Sequence, residues 1–526
     1  MSDGRSGQRT IALQCIAGTP MSFFSDVLDP TDPYDHQLLK HVRPPDWANP
    51  KPNGPYNLVV IGAGTAGLVT AAVAAGLGAR VALIERNLMG GDCLNVGCVP
   101  SKALIRASRA RSDAEKSSQF GVALSGSTTQ NFATVMERMR RIRSELGHVD
   151  SAQRFKELGV DVYLGEGRFI SRDSIAVGET ILRFSRAAIC TGARAAIPAI
   201  NGLDKTNFLT NESIFSLTTL PERLAVVGGG PIGCELAQAF ARFGSVVTLI
   251  ERESQLLPRE DKDAAAVLEQ QMAHDGVKFV FNATIENVVG TNGTKRIQYK
   301  TADRNHELVI DDILLAIGRV PNIEGLDLET AAVAFQRSGV TVDKYLRTTN
   351  KRIYAAGDIC FPLKFTHAAD AMAQLVVQNA LFPHPFGLGR ASTDNLLIPW
   401  CTYTDPEVAH IGITNHNVDI ETFTQPLSTI DRAVIDGKED GFVKVLVKRN
   451  TDKIVGATIV SADAGNLISE ITVAMKAGVG LSTIGATIHP YPTQADALRK
   501  AAHQMRKARF SARQKALLRR FFAWQR

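Results

Sequence analysis

Two stretches of this sequence repeat each other without a gap, and the repeat constrains the fold more than any other feature. Residues 59–86 read VVIGAGTAGLVTAAVAAGLGARVALIER, and residues 225–252 read AVVGGGPIGCELAQAFARFGSVVTLIER. In each copy an apolar run leads into G-x-G-x-x-G, a helical stretch and a second apolar run that ends in a glutamate. This order predicts two strand–turn–helix–strand units, each at the start of a doubly wound α/β domain.

The glycines and the glutamate of each unit suit a bound dinucleotide. The first glycine permits a tight turn, the second lets the backbone approach a pyrophosphate, and the third lets the helix pack on the strand. The glutamate, 23 residues after the first glycine in both copies, can accept a ribose hydroxyl. One such motif is weak evidence for a nucleotide site, but two copies with matching flanks and spacing predict two nucleotide sites. The residues are Gly62, Gly64, Gly67 and Glu85 in the first copy and Gly228, Gly230, Gly233 and Glu251 in the second.

The length and the cysteines indicate the class of protein. A chain of 526 residues predicts three or four domains at roughly 150 residues each. No apolar run reaches the roughly 18 residues that a membrane-spanning helix needs. The seven cysteines are scattered and odd in number, unlike the disulfide framework of a secreted protein, so a cytoplasmic protein is expected.

The positive charge is concentrated at one end of the sequence. The net charge is +6, yet residues 499–526 hold ten Lys and Arg and no acid, so the remainder is mildly acidic. Such a body offers no basic face for nucleic acid. The basic, aromatic-ended tail leaves three interpretations open: a helix packed on its own dimer, peripheral contact with the inner membrane face, or an acidic protein partner.

GGDCLNVGCVPSK, residues 90–102, places two cysteines five positions apart. Pro100 suits the first residue of a helix, which would put Cys98 at the positive helix N-terminus and Lys102 one turn later. The pair could be a structural clip, half a metal site or a redox pair. A single C-x4-C without a second Cys/His pair does not predict a zinc site, and no metal site is predicted. We therefore favour a redox pair, Cys93 and Cys98.

This segment resembles the redox motif of the FAD-dependent pyridine nucleotide-disulfide oxidoreductases of class I, which include dihydrolipoamide dehydrogenase, glutathione reductase and mercuric reductase. The resemblance covers residues 56 to about 500. It implies an α/β fold with two Rossmann-like dinucleotide-binding domains, for FAD and NAD(P), and a C-terminal α+β dimerisation domain. Further motifs follow in the family's order: CTGARAAIP (190–198), LLAIGRVPN (314–322), KRIYAAGDI (351–359) and WCTYTDPEVAHIG (400–412).

The resemblance implies domain boundaries as well. The proline- and aspartate-rich arm before the first domain is predicted to be extended and docked on the surface, without a chemical role. The implied segments are an N-terminal arm at 1–55, an FAD domain at 56–195 and 320–389, an NAD(P) domain at 196–319, a dimerisation domain at 390–503 and a basic amphipathic tail at 504–526.

Residue roles are implied in the same way. Electrons would pass from NAD(P)H through FAD to the Cys93–Cys98 disulfide and on to an acceptor. Cys93 would exchange with the substrate, Cys98 would be the charge-transfer thiolate against the flavin, and Lys102 would pair with Glu235 near flavin N5. The other implied residues are Gly91, Asp92, Thr191, Gly192, Gly357 and Asp358 for FAD, and Gly318 for NAD(P).

Glu251 bears on the choice of nicotinamide cofactor. A carboxylate at this place would repel the 2′-phosphate of NADPH. Arg252 could offset that repulsion, but Arg86 holds the same place in the first copy, so an arginine there does not discriminate. The prediction is FAD with NADH, and NADPH is the less favoured alternative.

The stretch ATIHPYPTQADALRK departs from the family's His-Pro-Thr motif, whose histidine moves thiol protons in the neighbouring subunit's site. Aligned on the Pro-Thr step, Tyr491 takes the histidine position, Asp496 takes that of the glutamate, and His489 falls two residues early. Imidazole exchanges protons near neutral pH whereas phenol does not. The resemblance therefore implies a homodimer of the mercuric-reductase-like branch, with a small-molecule or metal-ion acceptor.

Two alternatives stay open at this point. If His489 acts as the base, dihydrolipoamide or another dithiol returns as the substrate. The sequence shows neither a C-x-x-C metal-handling domain nor paired cysteines after Cys401, so an acceptor other than Hg(II) is favoured. The alternative of another class is a non-catalytic, membrane-associated flavin or thiol redox sensor.

Overall fold

The first repeated stretch forms the centre of a seven-stranded sheet. The computed structural model describes residues 27–29, 32–123, 131–290, 293–302, 304–414 and 419–526. The strands of the first sheet are β1 (Tyr56–Ile61), β2 (Val81–Glu85), β3 (Val160–Leu164), β4 (Gly167–Ser171), β5 (Ser174–Val177), β6 (Thr180–Ile189) and β18 (Ile353–Ala355). Strands β3, β2, β1, β6 and β18 are parallel, and the first half of β6 turns into an antiparallel meander with β5 and β4.

Helices cover this sheet and carry the cysteine segment. They are α1 (Pro33–Val42), α2 (Thr65–Gly76), α3 (Gly91–Asn95), α4 (Cys98–Glu115), α5 (Phe132–Gly147), α6 (Ala152–Glu157) and α9 (Thr366–Leu381). Helix α2 follows the first glycine turn and packs against α9, which comes from the far end of the domain. The two segments of the chain thus form one domain.

The second repeated stretch forms a smaller parallel sheet in the order β10-β9-β8-β14. A three-stranded antiparallel sheet, β11-β12-β13, follows it. The elements are β8 (Arg223–Val227), α7 (Pro231–Phe243), β9 (Val246–Ile250), α8 (Lys262–His274), β10 (Lys278–Val280), β11 (Ala283–Val289), β12 (Lys295–Thr301), β13 (Arg304–Ile310) and β14 (Asp312–Leu315).

The two connections between these domains pair with each other. Strand β7 (Ala193–Ala195) leaves the first domain and runs antiparallel to β15 (Arg319–Pro321), which returns to it. Thr191 and Asn322 add reciprocal hydrogen bonds beside this ribbon, each 2.9 Å long. The short hairpin of β16 (Phe335–Gln336) and β17 (Gly339–Val340) follows.

The last domain is a five-stranded antiparallel sheet with helices against it. Its strand order is β19-β20-β23-β22-β21. The elements are β19 (Trp400–Thr402), β20 (Glu407–Gly412), β21 (Ile420–Pro426), α10 (Asp431–Ile435), β22 (Phe442–Lys448), β23 (Ile454–Ser461), α11 (Ala464–Ala477), α12 (Leu481–Ala486), α13 (Asp496–Arg509) and α14 (Ala512–Trp524). The predicted α/β class with a C-terminal α+β domain is confirmed.

The arm before β1 differs from the prediction. Residues 1–26, 30 and 31 lie outside the described part, but residues 33–42 form helix α1 rather than an extended chain. Asp32 caps this helix by accepting the amide hydrogen of Tyr34 at 2.8 Å. Pro33 is its first residue, where no amide hydrogen is required. Helix α1 packs on α5, and its Leu38 and Val42 are fully buried, so this helix belongs to the core of the first domain.

None of the helices in the described part of the chain combines the length and apolar character of a membrane span.

Candidate active site

One cavity of about 2490 Å³ lies between the three domains and collects most of the predicted site residues. Gly67 and Gly233 do not line it, because they pack behind the turns. The predicted residues that do line it are Gly62, Gly64, Glu85, Gly91, Asp92, Cys93, Cys98, Lys102, Thr191, Gly192, Gly228, Gly230, Glu235, Glu251, Gly318, Gly357 and Asp358.

The two glycine turns have the same geometry. Gly62 and Gly228 have positive φ angles, +98° and +108°. A Cβ on Gly67 would lie 1.8 Å from the Gly62 oxygen, and one on Gly233 would lie 1.9 Å from the Gly228 oxygen. Side chains are therefore excluded at both positions, and the helices approach the strands closely.

The middle glycines face the cavity at the N-termini of α2 and α7. A Cβ on Gly230 would meet no atom within 4 Å, and one on Gly64 would meet only the Gly91 Cα, at 3.7 Å. Side chains there would occupy the space that a pyrophosphate needs in front of the helix amides. Both cradles therefore fit a dinucleotide.

Glu85 and Glu251 hold equivalent positions at the ends of β2 and β9. Glu85 accepts the amide hydrogens of Ala63 and Asn87, both at 2.7 Å. Glu251 accepts those of Gly229 and Glu253. Each carboxylate fixes its own glycine turn and also lines the cavity. Burial raises the pKa of Glu85, and its two backbone hydrogen bonds oppose the rise.

The cysteine pair lies where α3 meets α4. Helix α4 begins at Cys98 itself, two residues before the predicted start at Pro100, which occupies the third position of the helix. Cys98 is exposed to the cavity and Cys93 is half-buried, and both thiols are free. The two side chains influence each other's ionisation, and the Cys98 sulfur lies 3.4 Å from the Thr366 hydroxyl.

The surroundings of the pair favour a thiolate at Cys98. The hydrogen bond from Cys93, the Thr366 hydroxyl and the Lys102 charge lower the pKa of Cys98 to about 6, although burial opposes them. The same hydrogen bond and burial raise the pKa of Cys93. The reduced pair therefore holds one negative charge, on Cys98, and one proton, on Cys93.

Lys102 and Glu235 form the ion pair that the sequence suggested. The Lys102 Nζ lies 2.8 Å from the Glu235 Oε2, and Glu235 is almost fully buried. The Tyr403 amide donates to the other Glu235 oxygen at 2.9 Å, and the Lys102 ammonium lies over the Tyr403 ring. The pair ties α4 to α7 and to the start of the last domain.

Sequence reasoning missed Arg319. Its guanidinium donates to the Asp92 carboxylate and to the Ala193 carbonyl, and its Nε lies 3.4 Å from Asp358. Burial raises the pKa of Asp358, and Arg319 opposes this rise. Arg319 lies in the LLAIGRVPN motif, directly after Gly318, so this motif could have indicated it as a site residue.

Tyr491, His489 and Asp496 do not line the cavity of their own chain. The Tyr491 side chain is 75% exposed and its hydroxyl donates to Asp431 at 2.8 Å. The His489 side chain is only 6% exposed and lies 3.0 Å from the Glu470 carboxylate. Asp496 begins α13 and pairs with Arg499. The structure therefore does not bring these three residues to the cysteine pair within one chain.

Comparison with known proteins agrees with this geometry. Residues 56–374 match the pyridine nucleotide-disulphide oxidoreductase family, and residues 398–502 match its dimerisation domain. Mercuric reductase of Staphylococcus aureus is 32% identical over 456 residues, which cover 86% of this chain and 82% of that protein. Dihydrolipoyl dehydrogenase of Bacillus subtilis (strain 168) is also 32% identical, over 85% of this chain and 97% of that protein.

A solved structure is similar over the same region. The Cu(II) complex of the HOCl-induced flavoprotein disulfide reductase RclA from Escherichia coli has 28% sequence identity and a TM-score of 0.75. The match covers 86% of this chain and 100% of that one. The matched dimerisation domain supports a homodimer. The chain belongs to the pyridine nucleotide-disulphide oxidoreductase family and is an enzyme that uses NAD(P)H and FAD.

Proposed function

We propose that this enzyme transfers electrons from NADH, by way of FAD, to a Cys93–Cys98 disulfide and then to a small-molecule or metal-ion acceptor. The observation that carries the proposal is the Cys98 thiolate site, which opens into the cavity that both glycine turns also line. FAD supplies the two-electron chemistry between a nicotinamide and a disulfide when it is bound.

The residues of the chain have separate tasks in this proposal. The first cradle, with Gly62, Gly64 and Glu85, holds FAD together with Asp358, and the second holds the nicotinamide cofactor. Reduction of the disulfide takes up two electrons and one proton, which leaves a thiolate on Cys98 and a thiol on Cys93. Lys102 stabilises the thiolate because its positive charge lies one helical turn away.

The Cys98 pKa gives a pH prediction. Its reduced-state pKa is lowered to about 6, so the thiolate persists above that pH and is lost as the pH falls through it. The long-wavelength charge-transfer absorbance of the reduced enzyme should titrate with a midpoint near 6, and Lys102→Met should move the midpoint upward. Arg106→Met, on the exposed side of the same helix, is the control and should leave it unchanged. A midpoint near 9 in the wild type would contradict the thiolate assignment.

The C-terminal residues favour an acceptor that needs little proton transfer. Tyr491 is exposed, and its hydrogen bond to Asp431 raises the pKa of the phenol further. His489 is held inside by Glu470. If this region serves the partner's cysteine pair in a homodimer, Tyr491 is available for contact and His489 is not. This supports the mercuric-reductase-like branch over a dithiol substrate.

An acceptor panel tests this choice. NADH oxidation should be measured with Hg(II), Cu(II), quinones, lipoamide and glutathione disulfide in wild type, His489→Ala and Tyr491→Phe. We expect metal ions or quinones to be reduced fastest, with Tyr491→Phe lowering that rate and His489→Ala leaving it nearly unchanged. Efficient lipoamide turnover that is lost in His489→Ala would instead establish a dithiol substrate.

The nicotinamide site carries a further prediction. The Glu251 carboxylate lies at the end of β9 beside the second cradle, and Arg252 is paired with Glu253. We expect NADH to give a higher kcat/KM than NADPH by about tenfold or more, because the carboxylate repels a 2′-phosphate. Glu251→Gln should narrow this ratio while Glu222→Gln, which is remote from the cavity, should not. A wild-type preference for NADPH would contradict the proposal.

The proposed setting is the cytoplasm, with the homodimer able to contact the inner face of a membrane. The element that would make this contact is α14, and it is independent of the redox site.

A further inference from the structure

Helix α14 stands apart from the packed body of the protein. The helix before it, α13, buries one face with Ala497, Leu498, Ala501, Ala502 and Met505. Helix α14 buries none of its residues in this chain. Leu517 and Trp524 are 69% and 81% exposed, and Leu518, Phe521 and Phe522 are exposed as well.

The helix is nevertheless well defined. The Ser511 hydroxyl accepts the Gln514 amide hydrogen, and the Gln514 side chain accepts that of Ser511. This capping box provides hydrogen-bond acceptors for backbone amides that would otherwise have none at a helix start. The helix therefore needs no contact with the body to begin where it does.

Its side chains divide into two faces. At 3.6 residues per turn, Leu517, Phe521 and Trp524 lie along one stripe, with Leu518 and Phe522 beside it. The Phe521 ring lies 5.8 Å from Phe522 and 6.2 Å from Trp524, centroid to centroid. The basic side chains occupy the rest of the helix circumference and form its basic face: Arg519 lies opposite the stripe, and Lys515 and Arg520 border the apolar residues.

We propose that α14 binds in the surface of a membrane that contains anionic phospholipids and so holds the enzyme there. The apolar stripe would enter the boundary between headgroups and acyl chains, and the basic face would meet the lipid phosphates. No acidic residue follows Asp496 in the sequence, so nothing on this segment opposes a negative surface. Trp524 suits the headgroup level because its ring is amphipathic.

The charge favours a lipid surface over a second copy of the same helix. Two α14 helices packed together would bring two arginine- and lysine-rich segments side by side with no acid on either, and like charges repel. A membrane surface offers a negative charge to every basic side chain at once.

The test is co-sedimentation of the purified holoenzyme with vesicles of phosphatidylcholine alone or with added phosphatidylglycerol. We expect binding to the anionic vesicles only, weakening as salt is raised. Leu517→Gln/Phe521→Gln should weaken it by at least about tenfold, because two buried apolar side chains are lost. Arg519→Glu/Arg520→Glu should weaken it as well. Lys351→Glu/Arg352→Glu, the same charge change on an exposed loop of the FAD domain, is the control and should bind like wild type.

Tryptophan fluorescence gives a second readout. Anionic vesicles should shift the emission of the wild type to shorter wavelength, and Trp524→Phe should remove the shift while vesicle binding remains. Equal binding by wild type and both α14 variants would overturn the proposal. So would α14 variants that bind no less tightly but change the mass of the dimer, because the helix would then be covered by a second copy. NADH oxidation by all the variants should equal that of wild type, so the result is independent of the proposed redox function.

Discussion

Cys98→Ser is expected to lower turnover of NADH with the best acceptor by at least about 10³-fold. Serine keeps the size of the side chain but can neither form a disulfide nor ionise at neutral pH, so the two-electron store and the stabilised anion are both lost. The pKa of Cys98 is lowered and that of Cys93 is raised, so Cys98 is the sulfur that carries the anion at the cavity wall. Steady-state NADH oxidation and long-wavelength absorbance under anaerobic NADH measure the two losses.

The other cysteines serve as matched controls. Cys93→Ser should also stop turnover, but it should show the long-wavelength absorbance before NADH is added, because the Cys98 thiolate then lies beside oxidised flavin without a disulfide partner. Cys401→Ser changes a third thiol of the same cavity, where burial raises the pKa and keeps the sulfur protonated, so it should behave like wild type. If Cys98→Ser kept more than about a tenth of wild-type turnover, the proposed electron path would be wrong.

Asp35→Ala is expected to lower the free energy of unfolding by about 3–5 kcal/mol. Its carboxylate lies 2.5 Å from the Arg143 guanidinium, and the two side chains are 1% and 0% exposed. Burial raises the pKa of Asp35, and the Arg143 charge opposes this rise. Removal of the carboxylate leaves a buried, uncompensated guanidinium. Arg143 also donates to the Asn95 carbonyl at 2.9 Å. The loss of stability should therefore extend to the segment between Cys93 and Cys98.

Urea unfolding of the FAD-loaded enzyme measures this effect, and helix α5 supplies its own control. Arg141 and Glu145 form an exposed pair one turn apart, so Glu145→Ala should cost no more than about 0.5 kcal/mol. The double change Asp35→Leu/Arg143→Met should recover most of the stability, because neither charge of this pair is then left buried without its partner. Equal losses for Asp35→Ala and Glu145→Ala would show that the buried pair does not stabilise the arm.

Helix α1 shows why the prediction of an extended arm is wrong. The abundance of Pro and Asp predicts an extended chain, yet Pro33 occupies the first position of α1 and Asp32 caps it. Both residues are typical of a helix start. The apolar residues of α1, such as Leu38 and Val42, are fully buried, and a short amphipathic helix is stable only where another helix covers it. Local composition could not predict that α5 would do so.

The polar contacts around the cysteine pair show a second limit of prediction from the sequence. Cys98 and Thr366, Arg319 and Asp92, and Lys102 and Glu235 are each separated by more than a hundred residues. The resemblance to a family suggested the last pair, and no spacing rule within a single segment predicts the other two.

What the sequence determined by itself is the chemistry held within short segments: two glycine turns, each with a glutamate at a fixed distance, and two cysteines at the start of a helix. Backbone geometry sets such requirements locally, so they can be read from neighbouring residues. Only the tertiary structure decided which distant groups surround the cysteine pair, because packing of α9 in the FAD domain places Thr366 beside Cys98 and packing of α7 places Glu235 beside Lys102. It also decided that Arg319 joins Asp92 to Asp358 and that α14 remains exposed.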